Sequence, residues 1–315
     1  MRIVFMGTPD FAVPALKALA QWKGEEIAGV ICQPDKPQGR GKRIVPTPVK
    51  KAAGDLGFPV YQPRRIRSGE GEQLLSVLAP DLIFVVAYGQ ILPKWFLDFP
   101  RHGAINLHAS LLPRYRGAAP LQRAVLNGET KTGFTLMMMD EGMDTGPILA
   151  QTEFEIFENE TAGELAARAA IIGAEFAVRE LQAYLKHDRK PVPQDSSLAT
   201  YAPPLRKEEG ALKFQEPSRR LHNMVRALNP WPLAFCMCKR SMLFVHRTHL
   251  IEDSRASRSA GELVDIEEDS LLIQCGTGLL GFDLVQSPGK RIISGRDFAN
   301  GMRLKPGVKF ENGNS

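Results

Sequence analysis

The stretch RIVFMGTPDFAVPALKALAQW, residues 2–22, decides the fold class. Residues 2–7 are mostly apolar, which predicts a strand. Thr8 suits a helix N-cap and Pro9 suits the first helical position, so the stretch 11–22 is predicted as a helix. A strand that passes directly into a helix is the building unit of a doubly wound sheet. The turn lacks the pattern G-x-G-x-x-G, which disfavours a nicotinamide dehydrogenase.

The same alternation continues through the first half of the chain. Further strands are predicted at 26–33, 59–63, 82–88, 103–109, 133–140 and 148–156, and helices at 46–57, 69–79, 118–128 and 161–187. The unbroken apolar run LIFVVAY is typical of a strand covered on both faces. We therefore predict an α/β fold with a Rossmann-like, doubly wound and mostly parallel sheet.

The second half of the chain has a different pattern. A polar stretch with four prolines, residues 187–207, predicts a linker or an extended crossing segment. One helix at 217–228 and several short strands follow, which favour a small OB-like β-barrel. The predicted division is a Rossmann-like domain over 1–188, a linker over 189–207 and a barrel domain over 208–315.

Composition narrows the class of protein. The 315 residues carry 40 basic and 35 acidic side chains, a net charge of +5, so an anionic partner is allowed but not required. No run reaches the about 18 apolar residues of a membrane helix, and the apolar N-terminal run is too short for a signal peptide. The four cysteines are too few for a disulfide scaffold. We expect a cytoplasmic protein that acts as a monomer, away from membranes.

A zinc site is a minor alternative for part of the second half. Cys236 and Cys238 are followed by His246 and His249. The spacing C-x-C matches no common zinc pattern, so two small residues on one face of a strand are the better interpretation. We expect no metal.

The segment INLHASLLPRYRG, residues 105–117, holds the candidate catalytic residues. A strand places the side chains of Asn106 and His108 on the same face. At the carboxyl end of a central strand, an amide can donate to an oxyanion while an imidazole handles a proton. A lone histidine in an apolar strand is more often a core residue, so the pair needs an orienting carboxylate.

The segment MDEGMDTGPIL, residues 139–149, offers that carboxylate. Asp140, Glu141 and Asp144 cluster around Gly142 and Gly146 in a loop after a neighbouring strand. An acidic surface turn and a calcium loop are the alternatives, although an EF-hand loop needs more ligands.

A basic segment, residues 33–51, is the second unusual feature. Six lysines and arginines accompany one acid, Asp35, and Pro37 and two glycines predict a loop. Such a run is often only a solvated surface. Its glycines and its place after a strand favour contacts with nucleic acid phosphates.

Together these motifs resemble the methionyl-tRNA formyltransferase family. The resemblance rests on GTPDF (7–11), QPDKPQGRGK (33–42), VVAYGQILP (85–93), INLHASLLPRYRGAAP (105–120), MDEGMDTG (139–146) and RALNPWP (226–232). The Asn-x-His, SLLP and D-x-G-x-D-T-G elements are shared by folate-dependent formyltransferases, and the Gly-Arg-Gly loop and NPWP point to the tRNA-specific member. The barrel half is matched more loosely.

The resemblance implies the substrates and the site. The formyl donor is 10-formyltetrahydrofolate, and the acceptor is the α-amino group of methionyl initiator tRNA. The implied catalytic set is Asn106, His108 and Asp144. The folate is bordered by Ser110, Leu111, Leu112 and Pro113, and the tRNA-binding candidates are Arg40, Lys42 and Arg43. The domain at 1–188 is then catalytic, and the barrel at 208–315 binds tRNA.

Two rival functions remain at this level. A folate-dependent formyltransferase for a small amine, such as a sugar nucleotide, needs neither the basic loop nor the barrel. The second rival is a non-catalytic RNA-binding protein, which would not require the pattern of Asn106, His108 and Asp144. Folate binding and acceptor competition discriminate among the three.

Overall fold

The computed structural model describes residues 1–38, 43–251 and 258–313. It contains two compact units. The first consists of residues 1–117, 132–154 and 166–202, and the second of residues 118–131, 155–165 and the chain from 203 onward. The predicted division at 188 and 207 stays a prediction.

The first 185 residues contain nine strands and six α-helices among the described residues, and most strands are followed by a helix. In chain order they are β1 (Arg2–Gly7), α1 (Val13–Ala20), β2 (Glu26–Ile31), β3 (Lys36–Gln38), β4 (Arg43–Val45), α2 (Pro48–Asp55), β5 (Val60–Tyr61), α3 (Gly69–Leu78), β6 (Leu82–Val86), α4 (Lys94–Leu97), β7 (Ala104–His108), α5 (Pro120–Leu126), β8 (Lys131–Met138), β9 (Ile148–Glu155) and α6 (Ala162–Leu185).

The large sheet of the first unit has the strand order β5-β2-β1-β6-β7-β8-β9. The first five of these strands pair in parallel, and β8 runs antiparallel to β7. All five residues of β6 are buried, as its unbroken apolar run predicts. The order reverses between β1 and β6, and ligands of open α/β sheets bind outside the carboxyl ends of the strands at such a point. The predicted Rossmann-like sheet is confirmed.

Of the two helix starts predicted from local sequence signals, one is confirmed and the other is wrong. The capping box predicted at Thr161 is present, because its hydroxyl accepts from the Glu164 amide and the Glu164 carboxylate accepts from the Thr161 amide. The N-cap predicted at Thr8 is wrong, since α1 begins at Val13 after a short 3-10 turn. The Thr8 hydroxyl instead donates to the carbonyl of Tyr88.

The second unit contains a curled antiparallel sheet. Its elements in chain order are α7 (Ser218–Ala227), β10 (Ala234–Cys238), β11 (Ser241–Ile251), β12 (Leu263–Glu267), β13 (Ser270–Gln274), β14 (Leu279–Gln286), β15 (Ile293–Ser294), α8 (Gly295–Met302) and β16 (Phe310–Glu311). The strand order is β12-β13-β14-β11-β10-β16, and a bridge between Glu262 and Lys309 links its two ends. The predicted OB-like barrel is therefore confirmed as a curled sheet that nearly closes.

The cysteines of the second unit are core residues. Cys236 and Cys238 are buried on one face of β10. Burial raises the pKa of the Cys238 thiol to about 11. His249 hydrogen-bonds to Asp283. Within the described ranges, no three side chains of the His, Cys, Asp or Glu type form a metal-binding group, and no helix there has the length and apolar character needed to cross a bilayer.

Candidate active site

Strand β7 carries Asn106 and His108 to the carboxyl edge of the sheet. Asn106 pairs with Val85 of β6, and His108 is opposite Thr135 of β8. Strand alternation turns both side chains to one face. Asn106 is half-buried, and its amide makes no hydrogen bond to any described residue. The amide is therefore available to a ligand.

The His108 ring is fixed by two neighbours. Its Nε2 lies 2.9 Å from the main-chain oxygen of Tyr115. A carbonyl oxygen only accepts, so Nε2 carries the proton of the neutral ring. The other nitrogen, Nδ1, lies 3.6 Å from Oδ2 of Asp144, and the imidazole is only 6% exposed. Nδ1 is thus the nitrogen available for proton exchange.

Asp144 alone of the acidic cluster reaches His108. Its Oδ2 accepts from the amide of Gly117 at 2.8 Å. Its φ of +54° lies in the left-handed region, which aspartate tolerates better than most residues. Asp140 instead accepts within its own loop from Gly142 and Thr145. Asp144 therefore lies beside His108, and Asn106 shares the β7 face of that histidine. The predicted catalytic set of residues 106, 108 and 144 stays a prediction.

The turn Ser110–Pro113 lies directly after this strand and is held by two side chains. The Thr135 hydroxyl donates to the carbonyl of Ser110 at 2.7 Å and accepts from the amide of Leu112 at 3.0 Å. The Gln151 amide donates to the carbonyl of Leu112 at 2.8 Å. Much of the main chain expected to meet a ligand is therefore bonded internally. The sequence analysis missed both supporting residues, although Thr135 is visible in the sequence as the one polar residue within the apolar run FTLMMM.

A neighbouring part of the same edge joins the ends of β1, β2 and β6. The Gln33 amide donates to the carbonyls of Tyr88 and Gly89, at 3.1 and 2.9 Å. Its main-chain N–H reaches the Thr8 hydroxyl. Burial raises the pKa of the Tyr88 phenol well above its ordinary value. These bonds fix the turn after β6, which the sequence did not single out as structural.

The basic segment is a hairpin where the structure describes it. Strands β3 and β4 pair antiparallel, with Lys36 opposite Val45. The predicted loop is therefore wrong for these flanks, where a two-stranded ribbon tolerates Pro37. Arg43 is exposed on β4. Arg40 and Lys42 lie outside the described residues, so their predicted roles are untested.

A polar cluster anchors the base of this hairpin. The Asp35 carboxylate contacts Lys50 Nζ at 2.5 Å and Gln62 Nε2 at 2.7 Å. It also accepts from the amide of Thr47 just beyond β4. The hydrogen bonds from Lys50 and then Gln62 lower the pKa of Asp35. The single acid of the basic segment thus ties together both ends of the hairpin.

Comparisons with known proteins cover most of the chain. A family model described as formyl transferase matches residues 1–181, and one described as formyl transferase, C-terminal domain, matches residues 204–303. The methionyl-tRNA formyltransferase of Moorella thermoacetica is 45% identical over 307 residues, 98% of each chain. That of Geobacter metallireducens is 41% identical over 310 residues, again 98% of each.

Solved structures are similar in fold. The sugar 3N-formyl transferase WlaRD matches with a TM-score of 0.68 at 20% identity, over 92% of this chain and 99% of that one. Methionyl-tRNA formyltransferase from Clostridium thermocellum matches with a TM-score of 0.58 at 19% identity, over 81% of this chain and 95% of that one. The family models confirm the predicted enzyme class, and the relatives confirm the predicted resemblance. With identity above 40% along nearly its whole length, the chain belongs to the methionyl-tRNA formyltransferase family.

Proposed function

We propose that this chain transfers the formyl group of 10-formyltetrahydrofolate to the α-amino group of methionyl initiator tRNA, which prepares that tRNA for translation initiation. The full-length relatives named methionyl-tRNA formyltransferase support the acceptor. WlaRD, whose structure was determined in the presence of 5-N-formyl-THF, supports a folate donor. The observation that carries the proposal is that Asn106 and His108 share one face of β7 at the carboxyl edge of the sheet, where Asp144 lies 3.6 Å from His108.

The reaction is acyl transfer between two nitrogens. The acceptor amine has an ordinary pKa of about 7.7–8.0, and the neighbouring ester lowers it, so a neutral fraction exists near pH 7 without a strong base. The amine nitrogen bonds to the formyl carbon, and the bond from that carbon to the donor nitrogen breaks. Between these events a tetrahedral intermediate carries negative charge on the formyl oxygen, which is where the enzyme must supply stabilisation.

In this proposal Asn106 stabilises that oxygen. Its side-chain N–H groups are not engaged within the described residues, so they can donate without breaking a native bond. A donor placed in advance at a developing oxyanion is typically worth about 2.7–4 kcal/mol of transition-state free energy. No other polar side chain of β7 shares its face except His108.

His108 and Asp144 move the proton. The amine loses one proton as it attacks, and the leaving nitrogen of the donor gains one. His108 Nδ1 faces the Asp144 carboxylate at 3.6 Å, while the Nε2 bond to Tyr115 holds the ring in place. Catalytic hydrogen bonds are often long before the substrate binds, so this spacing suits a pair that tightens around the amine. Asp144 orients the imidazole and balances its charge when it is protonated.

Two further parts of the chain recognise the substrates. The Ser110–Pro113 turn borders the folate as a rigid edge, because Thr135 and Gln151 hold its main chain. Arg40, Lys42 and Arg43 of the basic segment contact the tRNA backbone, and such phosphate contacts make binding salt-dependent. The region 1–188 is catalytic, 189–207 is a linker, and 208–315 binds tRNA. The chain works as a monomer in the cytoplasm.

Mass spectrometry of the acceptor tests the proposal. The protein is incubated with 10-formyltetrahydrofolate and charged methionyl initiator tRNA, and the aminoacyl group is released and weighed. We expect one formyl group on the methionine amine, and none with the Asn106→Ala variant on the same timescale. Formylation of a competing amino sugar nucleotide in preference to the tRNA refutes the proposed acceptor. If calorimetry detects no folate binding, the proposed formyltransferase activity is refuted.

A further inference from the structure

Gln194 lies at the centre of a hydrogen-bond cluster beside the proposed catalytic pair. Its amide nitrogen donates to the main-chain oxygens of Asp144 at 2.9 Å and Gly146 at 2.8 Å. Its amide oxygen accepts from Arg116 Nε at 3.1 Å and Nη2 at 2.7 Å. Both N–H groups and both lone pairs of one side chain are therefore used. No pattern in the sequence indicates this cluster, because Gln194 lies in a proline-rich segment.

One end of the cluster holds the loop that carries Asp144. The two carbonyls bonded to Gln194 flank Thr145, so the side-chain amide of Gln194 holds the main chain on both sides of Thr145. Asp144 has a left-handed backbone, which a non-glycine residue keeps only when its surroundings hold it. The direction of its carboxylate toward His108 depends on that backbone.

The other end holds the segment that faces His108. Arg116 is only 3% exposed. Its main-chain N–H donates to the carbonyl of Thr200, and its carbonyl accepts from the N–H of Ala202, so the segment that follows Gln194 is paired with it. Arg116 lies between two main-chain groups of the site. These are the Tyr115 carbonyl, which accepts from His108, and the Gly117 amide, which donates to Asp144. Gln194 thus links the two segments that set the His108–Asp144 geometry.

We propose that Gln194, together with Arg116, is a positioning residue for formyl transfer, which fixes the distance between His108 Nδ1 and the Asp144 carboxylate. It touches neither reacting atom and acts through Asp144. This role rests on the proposed function of that pair.

The informative substitution is Gln194→Glu. The carboxylate keeps the length of the side chain and its contact with Arg116, but it loses both N–H donors and faces two carbonyls instead. We expect kcat to fall by about tenfold to 10²-fold, because small misplacements of catalytic groups have effects of that size. The KM values for both substrates should stay within about threefold. Gln194→Met removes the bonds while it keeps the packing, and Gln73→Glu, at an exposed position of α3, is the matched control with unchanged activity.

A double-mutant cycle with Asp144→Ala separates positioning from a general structural effect. If Gln194 acts through Asp144, Gln194→Glu changes kcat by less than about twofold in the Asp144→Ala background. The same fold-loss in both backgrounds, or a Gln194→Glu enzyme with wild-type kcat, overturns the inference.

A spectroscopic measurement does not depend on the acceptor. In ¹⁵N-histidine-labelled protein, the ring nitrogen signals of His108 are assigned as those that disappear in His108→Ala. Gln194→Glu and Gln194→Met should shift these signals and should leave the ring nitrogen signals of His222 unchanged. Unmoved His108 signals overturn the inference. If the wild-type enzyme does not formylate methionyl-tRNA, the proposed function fails, while this measurement still decides whether Gln194 sets the imidazole environment.

Discussion

Replacing Asn106 by alanine tests the proposed oxyanion donor. The amide is half-buried, and within the described part of the chain it has no hydrogen-bond partner. Truncation therefore breaks no native bond, and the free energy of unfolding should change by less than about 1 kcal/mol, the range of strand propensities. The transition state, however, loses one donor, worth about 2.7–4 kcal/mol. That corresponds to a loss of about 10²-fold to 10³-fold in kcat.

The assay is single-turnover formylation of methionyl-tRNA with both substrates above their dissociation constants. Binding of tRNA and of folate is measured separately and should be unchanged. Asn106→Asp is the matched variant, because it keeps the shape but places a negative charge beside the developing oxyanion. It should be at least as slow as Asn106→Ala. An Asn106→Ala enzyme within about fivefold of the wild-type rate contradicts the oxyanion role.

Three further predictions address the proton pair, the hairpin and the second unit. Asp144→Asn should lower kcat by about 10²-fold or more, the usual size of general acid–base effects, with unchanged tRNA affinity; a normal rate contradicts the role. Arg43→Ala should weaken tRNA binding and reduce the slope of log K against log salt by about 1, whereas Lys23→Ala should change neither. Burial, followed by nearby Arg226, lowers the pKa of His222 to about 4. The unfolded chain then takes up the proton first as pH falls below about 6.5, so urea titrations should show about 3 kcal/mol of stability lost between pH 6.5 and 4, and a much smaller loss in His222→Leu.

The sheet was predictable because its signal is local. The run LIFVV is apolar over five consecutive residues, and all five are buried in β6. The antiparallel direction of β8 was not predictable, because strand direction depends on pairing and not on the composition of the strand. The sequence pattern predicts helix α5 but not the compact unit to which it belongs, and its residues lie in the second unit.

Only the proposed catalytic residues of the candidate site were predictable from the sequence. Asn106, His108 and Asp144 are polar groups at strand ends and between glycines, so their chemistry is visible in the sequence. Their supports are ordinary polar residues whose partners are far away in the chain. Gln194 contacts a carbonyl 50 positions earlier, and no periodicity or spacing encodes such a contact.

The central claim is that an amide, an imidazole and a carboxylate act on one formyl group. Rapid-quench measurement of formyl-methionyl-tRNA made by His108→Ala tests it most directly, with folding and both substrate affinities checked in parallel. The account predicts formation at least about 10²-fold slower than in the wild-type enzyme, with both substrates still bound. Formation at a rate close to that of the wild-type enzyme contradicts it.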